Sequence, residues 1–211
     1  PDYLHNSRNW STTPRPAAST FKSWATVAGL RSGFSLRTRF NGNSFTPQGD
    51  AVPIRNEFHH EYGQVSLLRA TKDSINTAFV DLTTQIPDGP AKVITAANDV
   101  GLPSGPGWDL NNRVALGTAE VSPLDNAVAY ATVVNGGRRN APKVVLQVKD
   151  ADGKVLYQAK TKNTQAIQPD IARDVTYSLK SVVDQGTGAA VRELGFEVAG
   201  KTGTSGVGAV S

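Results

Sequence analysis

Ser19 and Lys22 stand three residues apart in the stretch P-A-A-S-T-F-K-S-W, just past Pro14 and Pro16. If a helix begins here, positions i and i+3 share a face, and the hydroxyl and the amine can come within hydrogen-bond reach. A serine hydroxyl is a poor nucleophile until a base takes its proton. A lysine can be that base once burial or a second cation lowers its pKa. The plain alternative is an N-cap serine followed by a solvated charge.

Two further motifs follow in order: S-I-N at Ser74 to Asn76 and K-T-G-T at Lys201 to Thr204. Singly each is cheap, and S-x-N recurs by chance at Ser7-Arg8-Asn9. S-x-x-K and K-T-G each occur once. Their order, and their placement at a helix start, a helix junction and a strand end, makes the joint occurrence specific.

The elements that must position them read as follows. The first eighteen residues are polar and turn-rich, with prolines that oppose regular structure. Apolar residues at Phe21, Trp24, Ala25, Ala28 and Leu30 have helical spacing, stopped by Gly33. Residues 34–63 read as a long irregular segment, of the kind that is functional or inserted. From Gly63 the pattern is helical through Val65, Leu67, Leu68 and Ala70, and again through Ala78, Phe79, Leu82 and Ile86. Pro90 to Val100 is a short helix, and Pro123, after Ser122, opens another that N-G-G ends. Val144–Val148 and Lys154–Tyr157 read as a hairpin about a D-G turn. A long helix spans Pro169 to Gln185 with Gly186 as its stop. Phe196–Ala199 alternates and reads as a strand entering K-T-G-T. A lone strand needs partners for its backbone groups, so its neighbours are expected outside this stretch.

The three motifs resemble those of the penicillin-recognising serine enzymes, the penicillin-binding proteins and serine β-lactamases. The flanks D-S-I-N-T-A-F-V-D-L, A-L-G-T-A-E-V-S-P-L-D-N-A-V-A-Y-A-T, V-V-D-Q-G-T-G and A-G-K-T-G-T are similar to the transpeptidase domain of class A penicillin-binding proteins, over nearly the whole chain. The resemblance implies an α/β (α+β) fold, an antiparallel sheet packed against a mostly helical lobe, here short of some strands at both ends. Residues 1–211 would then be a partial transpeptidase domain, without the glycosyltransferase domain and membrane anchor of class A members. Ser19 becomes the acylated nucleophile and Lys22 its base, with Lys201 as the second cation. By the resemblance, Ser74 bridges the lysines and relays a proton to the leaving amine, and Asn76 donates to the substrate's peptide carbonyl. Thr202 and Thr204 hold the terminal carboxylate, and Gly203 leaves room for an extended peptide. The backbone N–H groups of Ser19 and Thr204 form the oxyanion hole.

A class A β-lactamase needs a deacylating glutamate in E-x-x-L-N. Glu120 is followed by V-S-P-L and Glu193 by L-G-F-E, and neither fits. The implied activity is therefore D,D-transpeptidation of peptidoglycan stem peptides ending in D-Ala-D-Ala, with β-lactams as acylating ligands and the cell-wall synthesis machinery as partner. The implied place is the outer face of the bacterial cytoplasmic membrane. A D,D-carboxypeptidase and a non-turnover sensor or scaffold remain alternatives.

Composition limits other readings. A net charge of +4 from scattered basic residues makes no stripe with interleaved aromatics, so nucleic-acid binding is not expected. The surplus suits an acidic polymer or anionic surface nearby. The absence of cysteine excludes disulfides and thiolate metal sites, and leaves the compartment open. E-F-H-H-E at Glu57 to Glu61 lacks zinc spacing, so no metal and no cofactor are expected. Gly186-Thr187-Gly188 reads as a helix C-cap, which the resemblance places near the cleft rim. Neither chain end looks like a natural terminus.

Overall fold

Ala17 and Ala18 hang from a neighbouring segment before the first long helix begins. Their amides donate to Ala119 O and Gly117 O, both at 2.9 Å, extending an antiparallel pairing of Arg15–Pro16 (β1) with Glu120–Val121 (β4). This computed structural model describes residues 9–205; Ser7 and Arg8 of the chance S-R-N triplet and the two chain ends lie outside them. The prolines were expected to keep this region irregular. Pro16 is accommodated because the strand is two residues long and at an edge, where a missing N–H goes unnoticed.

The remaining elements among the described residues follow in order. They are α1 (Lys22–Arg31), β2 (Arg39–Asn41), β3 (Gln64–Ser66), α2 (Leu67–Lys72), α3 (Asn76–Gln85), α4 (Gly89–Asp99), α5 (Pro123–Val134), β5 (Arg138–Asn140), β6 (Gln147–Lys149), β7 (Val155–Gln158), β8 (Asn163–Gln165) and α6 (Pro169–Gln185). Short 3-10 turns cover Ala18–Phe21, Glu57–His59, Asn112–Leu116 and Ala189–Leu194.

Helix α1 is the axis of the molecule. From Lys22 to Gly29 every residue is buried, as befits a helix walled on all sides rather than one with a single apolar stripe. It packs against α3, α4 and α6. Phe21 meets Trp108 edge-on at 5.2 Å and Trp24 meets Tyr130 at 5.5 Å, geometries that add to simple area burial. Helices α5 and α6 start with proline, and the Ser122 side chain caps α5 by accepting from Asp125 N–H. Proline's fixed φ and missing donor suit that first turn.

Three local expectations change. Val65 belongs to strand β3, which pairs with β2 (Phe40 opposite Val65), so the helix begins only at Leu67. Both hairpin strands are shifted and β6 is shorter than expected, β6 pairing β7 around a turn in which Asp150 Oδ1 accepts from the amides of Asp152 and Lys154. Phe196–Ala199 forms no ladder, because no strand lies beside it among the described residues. The fold is the expected mixture of helix and strand. Its strands, however, pair only two by two, and the antiparallel sheet implied by the resemblance is not among the described residues.

Gly117 shapes the turn that carries Ser19. Its φ is +85°, and a Cβ there would stand 1.8 Å from Ala18 O. Gly117→Ala is expected to destabilise the fold by about 2–4 kcal/mol, read as a lowered urea midpoint with an unchanged m-value.

Candidate active site

Lys22 is fully buried at the head of α1, and its ammonium needs partners there. All three come from the S-I-N segment: Ser74 O at 2.8 Å, Ser74 Oγ at 3.1 Å and Asn76 Oδ1 at 2.6 Å. Burial, reinforced by the nearby Lys201 cation, holds the Lys22 pKa well below the ordinary lysine range, with Glu57 acting weakly the other way. A neutral amine has two N–H groups and one lone pair. The two carbonyl oxygens can accept those N–H groups, and the lone pair can receive the Ser74 hydroxyl proton.

Ser74 can serve this way because α2 ends in a left-handed residue. Its φ is +57°, a conformation usually left to glycine at a helix C-terminus. It turns carbonyl and hydroxyl together toward Lys22, while Ile75 N–H still closes on Ala70 O at 2.9 Å. From the other side Lys201 Nζ donates to Ser74 Oγ at 2.8 Å and to Thr202 O at 3.1 Å. Burial brings Lys201 down to about 8, against the pull of Glu57, so near neutral pH it remains mostly cationic. The result is a continuous line from Lys201 through the Ser74 hydroxyl to Lys22.

Ser19 lies in the 3-10 turn ahead of Lys22 and lines a cavity of about 610 Å³ together with Ser74, Thr202, Gly203 and Thr204. No hydrogen bond among the described residues joins Ser19 Oγ to Lys22 Nζ, whose three neighbours already occupy it. Hydrogen bonds between catalytic groups often tighten only when substrate is bound. Tyr130 fixes the turn from behind, its hydroxyl donating to Thr20 O at 2.8 Å and bonded to Ser23 Oγ at 2.8 Å. The amides of Ser19 and Thr204, the expected oxyanion donors, have no acceptor in the described backbone network.

Asn76 is engaged at both ends of its amide, accepting from Lys22 and donating to Arg55 O at 3.2 Å. One N–H of that group is left for a ligand. At Gly203 a Cβ would meet Thr20 Cγ2 at 3.1 Å and Ala17 O at 3.3 Å. The glycine thus lets K-T-G press against the turn that carries Ser19, a packing reason beside the peptide-clearance role expected from the sequence. Thr187 of the G-T-G triplet does more than cap α6: its Oγ1 lies 2.6 Å from Thr202 Oγ1, and it lines the cavity.

The E-F-H-H-E run is divided among separate tasks. Glu61 accepts from Ser44 N–H at 2.7 Å and Ser44 Oγ at 2.5 Å, His60 meets Tyr62 edge-on at 4.3 Å, and Glu57 lines the cavity. Among the described residues no group of three or more His, Asp or Glu side chains is placed to hold a metal ion. Glu57, Phe58 and Tyr130 were not counted as site residues in the sequence. Only the length of the 34–63 segment hinted that part of it would reach the site.

Comparison with known proteins places this geometry. The penicillin binding protein transpeptidase domain family matches residues 1–211, and the chain belongs to it. Penicillin-binding protein 1A of Mycolicibacterium smegmatis is 30% identical over 203 residues, covering 90% of this chain and 26% of the relative. The PonA1 protein from Mycobacterium tuberculosis in complex with penicillin V superposes with a TM-score of 0.76 at 28% identity, over 84% of this chain and 50% of that one. Penicillin-binding protein A from the same organism, as a penicillin G acyl-enzyme complex, gives 0.82 at 25% identity, over 96% and 50%. The class A resemblance read from the motifs is thereby borne out, and the fold is that of the penicillin-binding transpeptidases. The chain spans about a quarter of the length of the curated relative. No described helix is long and apolar enough to cross a membrane.

The lysine environment sets a sign for pH dependence. Lys201 titrates at about 8 in the folded chain and at about 10.4 when unfolded. Between those values the unfolded state binds more protons, so folding stability rises with pH. Urea unfolding at about pH 8 and about pH 10 should show the wild type gaining stability relative to Lys201→Met. A wild-type-minus-variant difference that is constant with pH would contradict this assignment.

Proposed function

We propose that this chain carries the acyl-transfer site of a peptidoglycan D,D-transpeptidase. The observation that carries the reading is the line of hydrogen bonds from Lys201 through Ser74 to a buried Lys22, set in the cavity that Ser19 lines. Ser19 Oγ attacks the carbonyl carbon of the penultimate D-Ala, and its proton passes to the neutral Lys22 amine. The amides of Ser19 and Thr204 receive the oxyanion, and Asn76 holds the neighbouring peptide carbonyl. The C–N bond breaks, and the terminal D-Ala leaves as an amine with a proton relayed through Ser74. An acceptor amine then attacks the ester, forms the new amide and releases Ser19. Lys201, with the hydroxyls of Thr202 and Thr204, holds the donor's terminal carboxylate until the D-Ala that carries it has left. A β-lactam opens by the same attack, but its leaving nitrogen stays tethered.

The same reading puts the site on the outer face of the cytoplasmic membrane, where stem peptides are cross-linked alongside other cell-wall synthesis proteins. Residues 1–211 are then part of a transpeptidase domain whose remaining sheet strands lie in other sequence. That this chain covers only 50% of each of these solved relatives supports this.

One observation favours a hydrolytic second reading, with water as acceptor: the carboxylate of Glu57 borders the cavity. Intact-protein mass after incubation with benzylpenicillin separates the two. Transpeptidation predicts a lasting adduct of one drug mass on the wild type and none on Ser19→Ala. Hydrolysis predicts that the adduct decays in the wild type and persists in Glu57→Gln. A folded wild type that neither retains nor consumes the drug overturns both.

A further inference from the structure

Phe58 is 98% exposed, yet its backbone is held in a conformation that bulky residues avoid. It sits at φ 54°, ψ 20°, and His59 follows at φ 54°. Left-handed backbone crowds Cβ against the carbonyl, and two such residues in succession without glycine is an outlier that local structure must enforce. The enforcement is visible. Asn56 is buried beneath the turn, with Nδ2 donating to Gly42 O at 2.8 Å and His60 O at 2.9 Å. Its Oδ1 accepts from Thr77 N–H and Thr77 Oγ1, both at 3.1 Å. One side chain therefore clamps the loop to the start of α3, next door to Asn76. His60 braces the far end edge-on against Tyr62, over which Arg69 lies at 5.7 Å.

An almost bare phenyl ring gains nothing for folding from this arrangement, so the strain serves something else. Phe58 stands on the wall of the Ser19 cavity, beside Glu57, His60 and Tyr62. The same cavity is lined by Thr187, Thr202 and Thr204. The lining thus offers hydroxyls suited to a carboxylate and aromatic rings suited to something apolar. Strained backbone of this kind gathers at ligand-binding positions.

We propose that Phe58 is a specificity-determining residue of the acyl-transfer site, a platform for the apolar side group of the acyl donor whose carboxylate lies on Thr202 and Thr204. The proposal rests on the acyl-enzyme reading above. In a β-lactam the matching group is the aryl or alkyl acyl side chain. In a stem peptide it is the aliphatic stem of the residue preceding the D-alanines.

The test compares second-order acylation of the full chain by benzylpenicillin and by aminopenicillanic acid, which has the same fused ring and no acyl side chain. Phe58→Ala is expected to slow benzylpenicillin about tenfold, equivalent to about 1.4 kcal/mol, and to leave aminopenicillanic acid within about twofold. Phe58→Tyr should restore the benzylpenicillin rate. Phe58→Asn, which tolerates the left-handed backbone, should hold or raise the melting temperature while showing the same selective loss. Equal slowing with both compounds would assign Phe58 a purely structural role, and no slowing with either would leave the ring no part in the site; each result overturns the proposal. A wild type acylated by neither compound would sink the acyl-enzyme reading itself. Normal wild-type acylation with an unchanged ratio in Phe58→Ala would sink this inference alone.

Discussion

The burial of one amine, Lys22 Nζ, organises the rest of the molecule. Its helix is enclosed on all sides, so the nitrogen cannot reach water and must find acceptors inside. It finds them on a single triplet, and that requirement holds the junction of α2 and α3 against the head of α1. The left-handed Ser74 follows from the same need, since an ordinary helix end would aim carbonyl and hydroxyl in different directions. Low polarity around the amine favours its neutral form, which is the form that can accept a proton. The arrangement that satisfies a buried polar group is also the one that favours a neutral amine.

Lys201 extends this arrangement to the far side of the cleft. Its bond to Ser74 Oγ is a tie between K-T-G and the helical lobe, and the Thr187–Thr202 contact is another. Gly203 allows the close approach that both require. The turn that carries Ser19 is held independently, by the β1–β4 pairing on one side and the Tyr130 hydroxyl on the other. Ser19 is thus fixed by its backbone while the two lysines are fixed by their side chains. This division leaves the Ser19 hydroxyl free to rotate toward either Lys22 or a bound carbonyl.

Among the described residues, the approach to K-T-G lacks the sheet that its sequence alternation calls for. Phe196 is exposed and residues 196–199 make no ladder, although Gly200 N–H reaches Leu179 O at 3.2 Å. Contact with α6 and the lysine relay therefore suffice to place residues 200–204 at the site. The hairpin β6–β7 stands similarly apart, with Val148, Leu156 and Tyr157 open to solvent.

The sequence by itself determined what depends on near neighbours along the chain. Helix α6 has the limits that Pro169 and Gly186 announce, α5 starts where Ser122 and Pro123 can cap it, and S-x-x-K and S-I-N stand at the helix start and helix junction expected of them, whereas K-T-G lines the cavity without the strand expected before it. Tertiary structure decided what depends on where distant segments cross. Phe40 has no strand signal until it lies opposite Val65, and Val65 reads as helix until it does. An alternating run such as Phe196–Ala199 becomes a strand only if a neighbour offers it hydrogen bonds. Spacing could bring Ser19 and Lys22 onto one face, but the competition for a buried amine turned Lys22 toward Ser74 and Asn76. Glu57 and Phe58 joined the site through a clamp, Asn56, whose partners Gly42 and Thr77 lie far from it in sequence. Local periodicity carries no record of such contacts, because their energy comes from burial and hydrogen bonding that exist only once the chain has closed on itself.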